Sequence, residues 1–198
     1  MARIKSALEI ALERTESVKS DKASISLFEA KQKGKKLANE FLDSSKESID
    51  SELSAVIKKY PKDEQASLKQ GIFDVLISAL VLPDSEADLN RVEIAFSGLK
   101  DIINNSKFNN LAKQTSQVLR QFMDESSQYE EAIKRQYAPK LKQKEEEISR
   151  HMGRPISLDP FQDPEFVAFY NQNMSAIKAN YSPVIDEVRN AAQQFFQN

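Results

Sequence analysis

The chain has 198 residues, with no Cys or Trp, one His, four Gly and seven Pro. So few turn-forming residues argue against β-sandwiches and barrels, which need many tight turns, and they predict an all-α protein. The 28 basic and 30 acidic residues leave a net charge of -2, without the basic excess that is typical of nucleic-acid-binding proteins.

The N-terminal half is predicted to hold five helices. Apolar residues at helical spacing predict a first helix over about 3–20 and a second helical stretch that ends at Asp43. Gly34 in the middle of that stretch costs about 1 kcal/mol relative to Ala, which weakens the prediction there. Ser44 and Glu47 then form a capping box that predicts a third helix.

The fourth and fifth helices are predicted from their caps and their apolar faces. Asp63 is expected to cap a helix that runs to Leu82 and is apolar nearly all round, so other helices should surround it. Ser85 with Asp88 is expected to cap the fifth helix, whose apolar residues recur at coiled-coil-like spacing. The fourth helix keeps one polar stripe, which consists of Gln70, Asp74 and Ser78.

Two long helices around one loop are predicted for the C-terminal half. The segment 108–151 has no Gly and only one Pro, Pro139, and it predicts a helix about 66 Å long. Either Pro139 bends this helix sharply or the molecule is elongated. Residues 153–164 hold one Gly and three Pro and form the clearest loop, and Asp163 before Pro164 predicts the start of the last helix.

The last helix carries the most regular pattern in the sequence. Nine residues recur at spacings of three and four, which predicts packing against a partner helix. We expect Ile177 and Val188 to be buried. The seam consists of Val167, Tyr170, Met174, Ile177, Tyr181, Val184, Val188, Ala191 and Phe195.

Two segments of the long helices are similar to each other. Residues 132–141 and 176–185 are identical at five of ten positions, and each contains a Tyr-x-Pro sequence. Pro139 and Pro183 each free a backbone carbonyl four residues earlier. One interpretation is a pair of matched kinks, and the other is a ligand site at the freed carbonyls.

The sequence indicates no catalytic, cofactor-binding or metal site. His151 is the single imidazole, and at a helix end it is expected to interact favourably with the helix dipole. Glu147 and His151 lie four residues apart, but the two Glu-x-x-His pairs of helical di-iron proteins are absent. Asp74, alone among apolar neighbours, is the one candidate for an acid with a raised pKa, although a solvent-facing position in the polar stripe is favoured.

Two further groups of side chains have predicted roles. One charged run is expected to form salt bridges along a helix surface: Lys140, Lys142, Lys144, Glu145, Glu146 and Glu147. Six aromatic residues near the ends of the last helix are expected either to anchor it in the core or to present a contact for a protein partner. They are Phe161, Phe166, Phe169, Tyr170, Phe195 and Phe196.

Residues 3–15 (RIKSALEIALERT) and 34–37 (GKKL) resemble an uncharacterised family of bacterial helical proteins, a domain of unknown function. The resemblance implies a bacterial cytoplasmic protein. It implies no activity and provides no functional residues.

No targeting or membrane-spanning segment is expected. Glu9 and Glu13 interrupt the apolar stretch that a signal peptide would need, and the most apolar run, 72–82, spans only about 16 Å as a helix. The absence of Cys excludes disulfides and Cys-ligated metal centres and fits a reducing cytosol. The predicted location is therefore the cytoplasm.

Together these patterns predict one elongated all-α domain over 1–198 with coiled-coil-like packing. Residues 1–106 are expected to form a helical bundle, and residues 107–198 a long antiparallel hairpin. We expect a non-catalytic interaction or scaffold protein that binds a protein partner or itself through helix faces. The alternative is a small-molecule-binding or enzymatic bundle with a pocket between its helices. No cofactor and no nucleic-acid partner are expected.

Overall fold

The computed structural model describes the backbone of residues 7–43 and 53–197, and the side chains of residues 24–43 and 53–197. This part of the chain contains no β-strand, and the predicted all-α class is confirmed. The elements are α1 (Ala7–Asp43), α2 (Leu53–Ile57), α3 (Lys62–Ser78), α4 (Glu86–Ile103), α5 (Ser106–Met152), the 3-10 helix η1 (Pro160–Gln162) and α6 (Pro164–Gln197).

Local capping signals fix the boundaries of α4 and α5. The side-chain oxygen of Ser85 accepts a hydrogen bond from the Asp88 backbone N–H, as its sequence position predicts. Asn104 ends α4 in the left-handed conformation (φ 49°), and the Asn105 side chain accepts from the backbone N–H of Lys107 at the start of α5. The predicted cap at Ser85 is therefore confirmed.

Three predicted boundaries in the N-terminal half differ from the structure. α1 is one helix to Asp43, not two. α3 ends at Ser78 instead of Leu82, because Pro83 lacks a backbone N–H and disfavours helix at the residue before it. Asp63 lies in the first turn of α3 and makes no capping hydrogen bond, since Pro61 precedes the helix. The capping box at 44–47 lies outside the described residues.

Helices α1 and α3 pack closely and run in the same direction. Ser26 donates a hydrogen bond to Glu64 in the first turn of α3 (Oγ to Oε1, 2.8 Å), and further along α1 Gly34 lies against the backbone at Ile72. A Cβ added to Gly71 would lie 2.1 Å from the Lys31 carbonyl oxygen. Only glycine allows the two backbones to approach so closely.

Most of the apolar side chains form one core, here called the main core, in which α3 is central. Leu68, Ile72 and Leu76 of α3 are completely buried, as its apolar circumference predicts. Both long C-terminal helices contribute one end each to the same core. Their buried residues there are Phe108, Ala112, Leu119, Ile185, Val188 and Ala192.

Away from the main core, α5 and α6 pack on each other in antiparallel order. Phe122 contacts Tyr181 (ring centroids 5.0 Å apart), and later in α5 Tyr137 contacts Phe166 near the start of α6 (5.2 Å). A second apolar group, the distal cluster, lies at this end. It consists of Ile133, Tyr137 and Phe166, with Leu141, Phe169, Tyr170 and Met174 packed against them.

The predicted burial of the α6 seam is only partly confirmed. Val188 is completely buried, but Ile177 is only partly buried. The prediction for Ile177 is wrong because the buried positions of α6 shift along the helix, to Phe166 at one end and to Ile185 and Ala192 at the other. Both long helices continue through their internal prolines, Pro139 and Pro183.

Candidate functional site

A pocket of about 370 Å³ lies between α5, α6 and the segment that joins α3 to α4. Its volume falls in the range of small-molecule sites, roughly 300–1,000 Å³. α5 provides five of its residues and α6 another five. The lining residues are Pro83, Asp84, Phe122, Met123, Ser126, Ser127, Glu130, Tyr170, Asn171, Met174, Ser175 and Lys178.

The charged groups of the pocket are paired within the protein. Lys178 of α6 and Asp84 of the α3–α4 segment form an ion pair (Nζ to Oδ1, 2.6 Å). Glu130 pairs with Lys134 one turn later in α5 (2.6 Å) and accepts a hydrogen bond from the Tyr170 hydroxyl (3.2 Å). Each of the two carboxylates therefore has a cation beside it.

Electrostatic effects in the pocket follow from these contacts. Hydrogen bonds from Lys134 and Tyr170 hold the pKa of Glu130 below its usual value against the opposing effect of burial. Burial raises the pKa of Tyr170, and the negative charges of Glu130 and Asp84 raise it further. Tyr170 therefore remains a neutral hydrogen-bond donor at neutral pH.

Ser126 has the one buried polar atom of the pocket that lacks a hydrogen-bond partner among the described residues. Its Oγ is buried, and no described residue forms a hydrogen bond with it. A buried hydroxyl without a partner costs about 1–3 kcal/mol, so such groups call for a reason. In an open pocket, a solvent molecule or a ligand atom can supply the missing hydrogen bond.

A second polar group, here called the Lys144 network, joins α5 to the start of α6. Lys144 Nζ lies 2.8 Å from Asp163 Oδ2 and 2.5 Å from Glu165 Oε2, and Lys140 also pairs with Glu165 (3.0 Å). The buried Tyr137 hydroxyl donates to Asp163 Oδ2 (2.8 Å). Asp163 also accepts from the Glu165 backbone N–H (3.1 Å), which makes it the N-cap of α6, as predicted.

The Lys144 network shifts the pKa values of its members in the directions that ion pairing dictates. Hydrogen bonds from Lys144 lower the pKa of both Asp163 and Glu165, and the same bonds raise the pKa of Lys144. Burial and the bond to Asp163 raise the pKa of Tyr137. Every member already has a partner, so the network serves to hold the two helices together.

Comparison with known proteins gives one match. The family of unknown function DUF6657 matches residues 54–194, which is more than two thirds of the chain. The chain belongs to the DUF6657 family. No curated protein and no solved structure matches it. The expected membership of an uncharacterised family is thus confirmed.

The DUF6657 match includes the pocket and the Lys144 network. The two segments on which the sequence resemblance was based, residues 3–15 and 34–37, precede the matched region. None of the helices described has the length and hydrophobicity needed to cross a membrane.

Within this DUF6657 chain, the six predicted contact aromatics have different environments. Phe166 is completely buried in the distal cluster, and Phe195 and Phe196 pack on the main core, where Phe196 stacks on Phe73 (4.0 Å between centroids). These three are anchors, because their rings are used inside the chain. Phe169 and Tyr170 are partly buried, and Phe161 alone is exposed, at 47%.

The candidate chemical residues also have clear positions. Asp74 is partly buried, and hydrogen bonds from Lys31 and Gln70 (both 2.8 Å) lower its pKa despite the opposing effect of burial. The alternative of a raised pKa at Asp74 is therefore wrong. His151 is exposed at the end of α5, with Nδ1 3.0 Å from the Glu147 carbonyl oxygen. The described residues contain no group of three or more His, Asp or Glu side chains able to hold a metal ion.

Sequence reasoning missed the Lys144 network and the pocket. The charged run was expected to pair along α5, but Lys140 and Lys144 reach across to α6 instead. The available signal was the antiparallel arrangement itself, which brings the end of α5 next to Asp163 at the N-terminus of α6. The pocket had no local sequence signal, because its residues come from three separate segments.

Proposed function

We propose that this protein is a non-catalytic interaction protein that binds a helical partner through α1. The observation that carries the proposal is the exposure of large apolar side chains on that helix. Phe28 is 63% exposed and Ile25 is 57% exposed, more than any other large apolar side chain among the described residues. Three residues apart on a helix, they share one side.

The rest of α1 supports this proposal. Ala30, Gly34 and Ala38 occupy the face that packs against α3, so Ile25 and Phe28 remain available for another contact. Ser26 is level with the first turn of α3, whereas α1 begins about five helical turns earlier. Burying an exposed Phe or Ile side chain contributes roughly 1.5–3 kcal/mol, which is enough to anchor a small interface.

The proposal includes self-association as one form of partner binding. It assigns no catalysis, and this part of the proposal is supported by His151, which is exposed at the end of α5 and hydrogen-bonds to a backbone carbonyl. The proposed setting is a bacterial cytoplasm, which rests on the sequence resemblance and on the absence of Cys.

The experiment compares the wild-type protein with an Ile25→Ser/Phe28→Ser double variant. A photo-crosslinking residue at position 24, which is exposed on α1, should capture either a second copy or a defined partner in the wild type and lose it in the double variant. Sedimentation over a range of concentrations gives the mass relative to the 22.5 kDa chain.

Phe161→Ser is the control variant, because Phe161 is also exposed but lies near the start of α6. It should keep the crosslinks and the mass of the wild type. Identical crosslinks and identical sedimentation in the wild type and the double variant would show that α1 is not the binding surface.

A further inference from the structure

We propose that the pocket between α5, α6 and the α3–α4 segment binds a small neutral compound with several hydroxyl groups. This goes beyond the interaction through α1, and it concerns different residues. The argument rests on the charge balance of the pocket, on Ser126, and on the apolar part of its wall.

The charge balance argues against a charged ligand. Asp84 is paired with Lys178, and Glu130 is paired with Lys134, so each carboxylate in the wall has its counter-charge in the chain. A cationic ligand would compete with these two lysines for the carboxylates, and an anionic ligand would face both carboxylates. A neutral ligand leaves both ion pairs intact.

The wall nevertheless offers many hydrogen-bonding groups. A carboxylate has about four acceptor positions, so Asp84 and Glu130 retain capacity after their ion pairs. Ser127, Asn171 and Ser175 add hydroxyl and amide groups that both donate and accept. A compound with several hydroxyl groups matches such a mixed set, because each hydroxyl also donates one bond and accepts others.

Ser126 is the residue at which a buried hydrogen bond to the ligand is expected. Its buried Oγ has no hydrogen-bond partner in the described chain, and it belongs to the pocket wall. A ligand hydroxyl placed there would remove the cost of that unpaired group, and a purely apolar ligand would not.

The apolar part of the wall completes the fit. Phe122 and Met174 line the pocket together with Met123 and the ring of Tyr170. The C–H faces of a cyclic polyol are apolar and pack on such side chains, while its edge hydroxyls meet the polar groups. This combination of an apolar wall with a few polar groups is typical of small-molecule sites.

The test uses four probes with the full-length protein: myo-inositol and glucose as neutral polyols, putrescine as a cation and succinate as an anion. Saturation-transfer NMR and calorimetry measure binding. At least one of the two polyols should bind saturably, and putrescine and succinate should not. Absence of saturable binding by both polyols, or binding of a charged probe alone, would overturn the proposal.

Two variants locate the site. Ser126→Ala should weaken polyol binding by about tenfold, the loss of one hydrogen bond to a buried group. Ser175→Leu fills the pocket from an exposed position of α6 and should abolish binding. Ser182→Leu is the matched control, since Ser182 is exposed on the same helix and does not line the pocket.

Circular dichroism confirms that each variant is folded before binding is measured. Polyol binding that survives in folded Ser175→Leu would contradict the location. The α1 crosslinks test the interaction separately, because neither Ile25 nor Phe28 lines this pocket.

Discussion

Gly34 of α1 and Gly71 of α3 each lie against the backbone of the other's helix. A Cβ on Gly34 would be 2.1 Å from the Leu68 carbonyl oxygen, and a Cβ on Gly71 would be 2.1 Å from the Lys31 carbonyl oxygen. Real Cβ atoms do not approach a backbone oxygen so closely. The two helices therefore pack backbone against backbone at this point.

We predict that Gly34→Ala destabilises the protein by about 1–3 kcal/mol, because the added methyl group forces α1 and α3 apart. Helix propensity alone predicts the opposite, a gain of about 1 kcal/mol. Urea unfolding followed by circular dichroism measures the difference.

Gly98→Ala is the control for this prediction. Its Cβ would meet side-chain atoms, Leu76 Cδ1 at 2.8 Å, Phe41 Cε1 at 3.0 Å and Leu53 Cδ1 at 3.1 Å, and side-chain atoms yield more easily than a backbone oxygen. The loss of stability should be smaller than for Gly34→Ala. A Gly34→Ala variant as stable as the wild type would show that the two backbones are further apart than described.

The Lys144 network predicts a loss of stability in acid. The pKa values of Asp163 and Glu165 are lower in the folded protein, mainly because Lys144 hydrogen-bonds to both. The unfolded chain therefore binds protons more readily, and this stabilisation is complete above about pH 5 and decreases as the pH falls through about 4. The raised pKa of Lys144 gives a stabilisation that is complete below about pH 10 and is lost as the pH rises further.

Replacing Lys144 tests this dependence. Lys144→Gln should lower the melting temperature at neutral pH and make the decrease between about pH 5 and pH 3 shallower than in the wild type. Lys142→Gln, at an exposed position of the same helix, should behave as the wild type. Parallel melting curves for Lys144→Gln and the wild type over this range would contradict the role of the network.

Val188 and Ile177 should respond differently to a buried charge. Val188 is completely buried, so Val188→Asp should cost more than about 4 kcal/mol and leave the protein largely unfolded. Ile177 is only partly buried, so Ile177→Asp should be considerably milder. Thermal melting and light scattering measure stability and mass. Equal damage at both positions, with loss of association at Ile177, would place Ile177 in an interface between chains.

The aromatic residues near the two ends of α6 should also differ in how much they contribute to stability. Phe196 stacks on Phe73 and has the Lys69 ammonium 5.3 Å from its ring centre, so Phe196→Ala should cost about 2–3 kcal/mol. Phe161 is exposed, and Phe161→Ala should cost less than about 1 kcal/mol. Chemical denaturation of the two variants compares them directly, and a larger loss for Phe161 would reverse the assignment of anchor and surface residue.

The predicted elements succeeded where the signal was local. Ser85 and Asp163 cap their helices through contacts within a few residues, which a sequence pattern records directly. Gly34 weakened the prediction of the helix that ends at Asp43. Glycine lowers the stability of an isolated helix, which the sequence shows, whereas the close packing that Gly34 permits depends on a contact with α3, which the sequence does not show. The same reason explains why Lys144, whose partners lie about twenty residues away, was assigned to the wrong acids.

The separation of the main core from the distal cluster has a consequence for local opening. Helix α5 contributes Phe108 and Leu119 to the main core, and it contributes Ile133 and Tyr137 to the distal cluster. The same helix therefore passes through two cooperative units. The distal unit contains fewer buried side chains and should open at lower free energy than the whole molecule. Amide protons near Tyr137 should therefore exchange through this partial opening, while those near Phe108 exchange only when the entire chain unfolds.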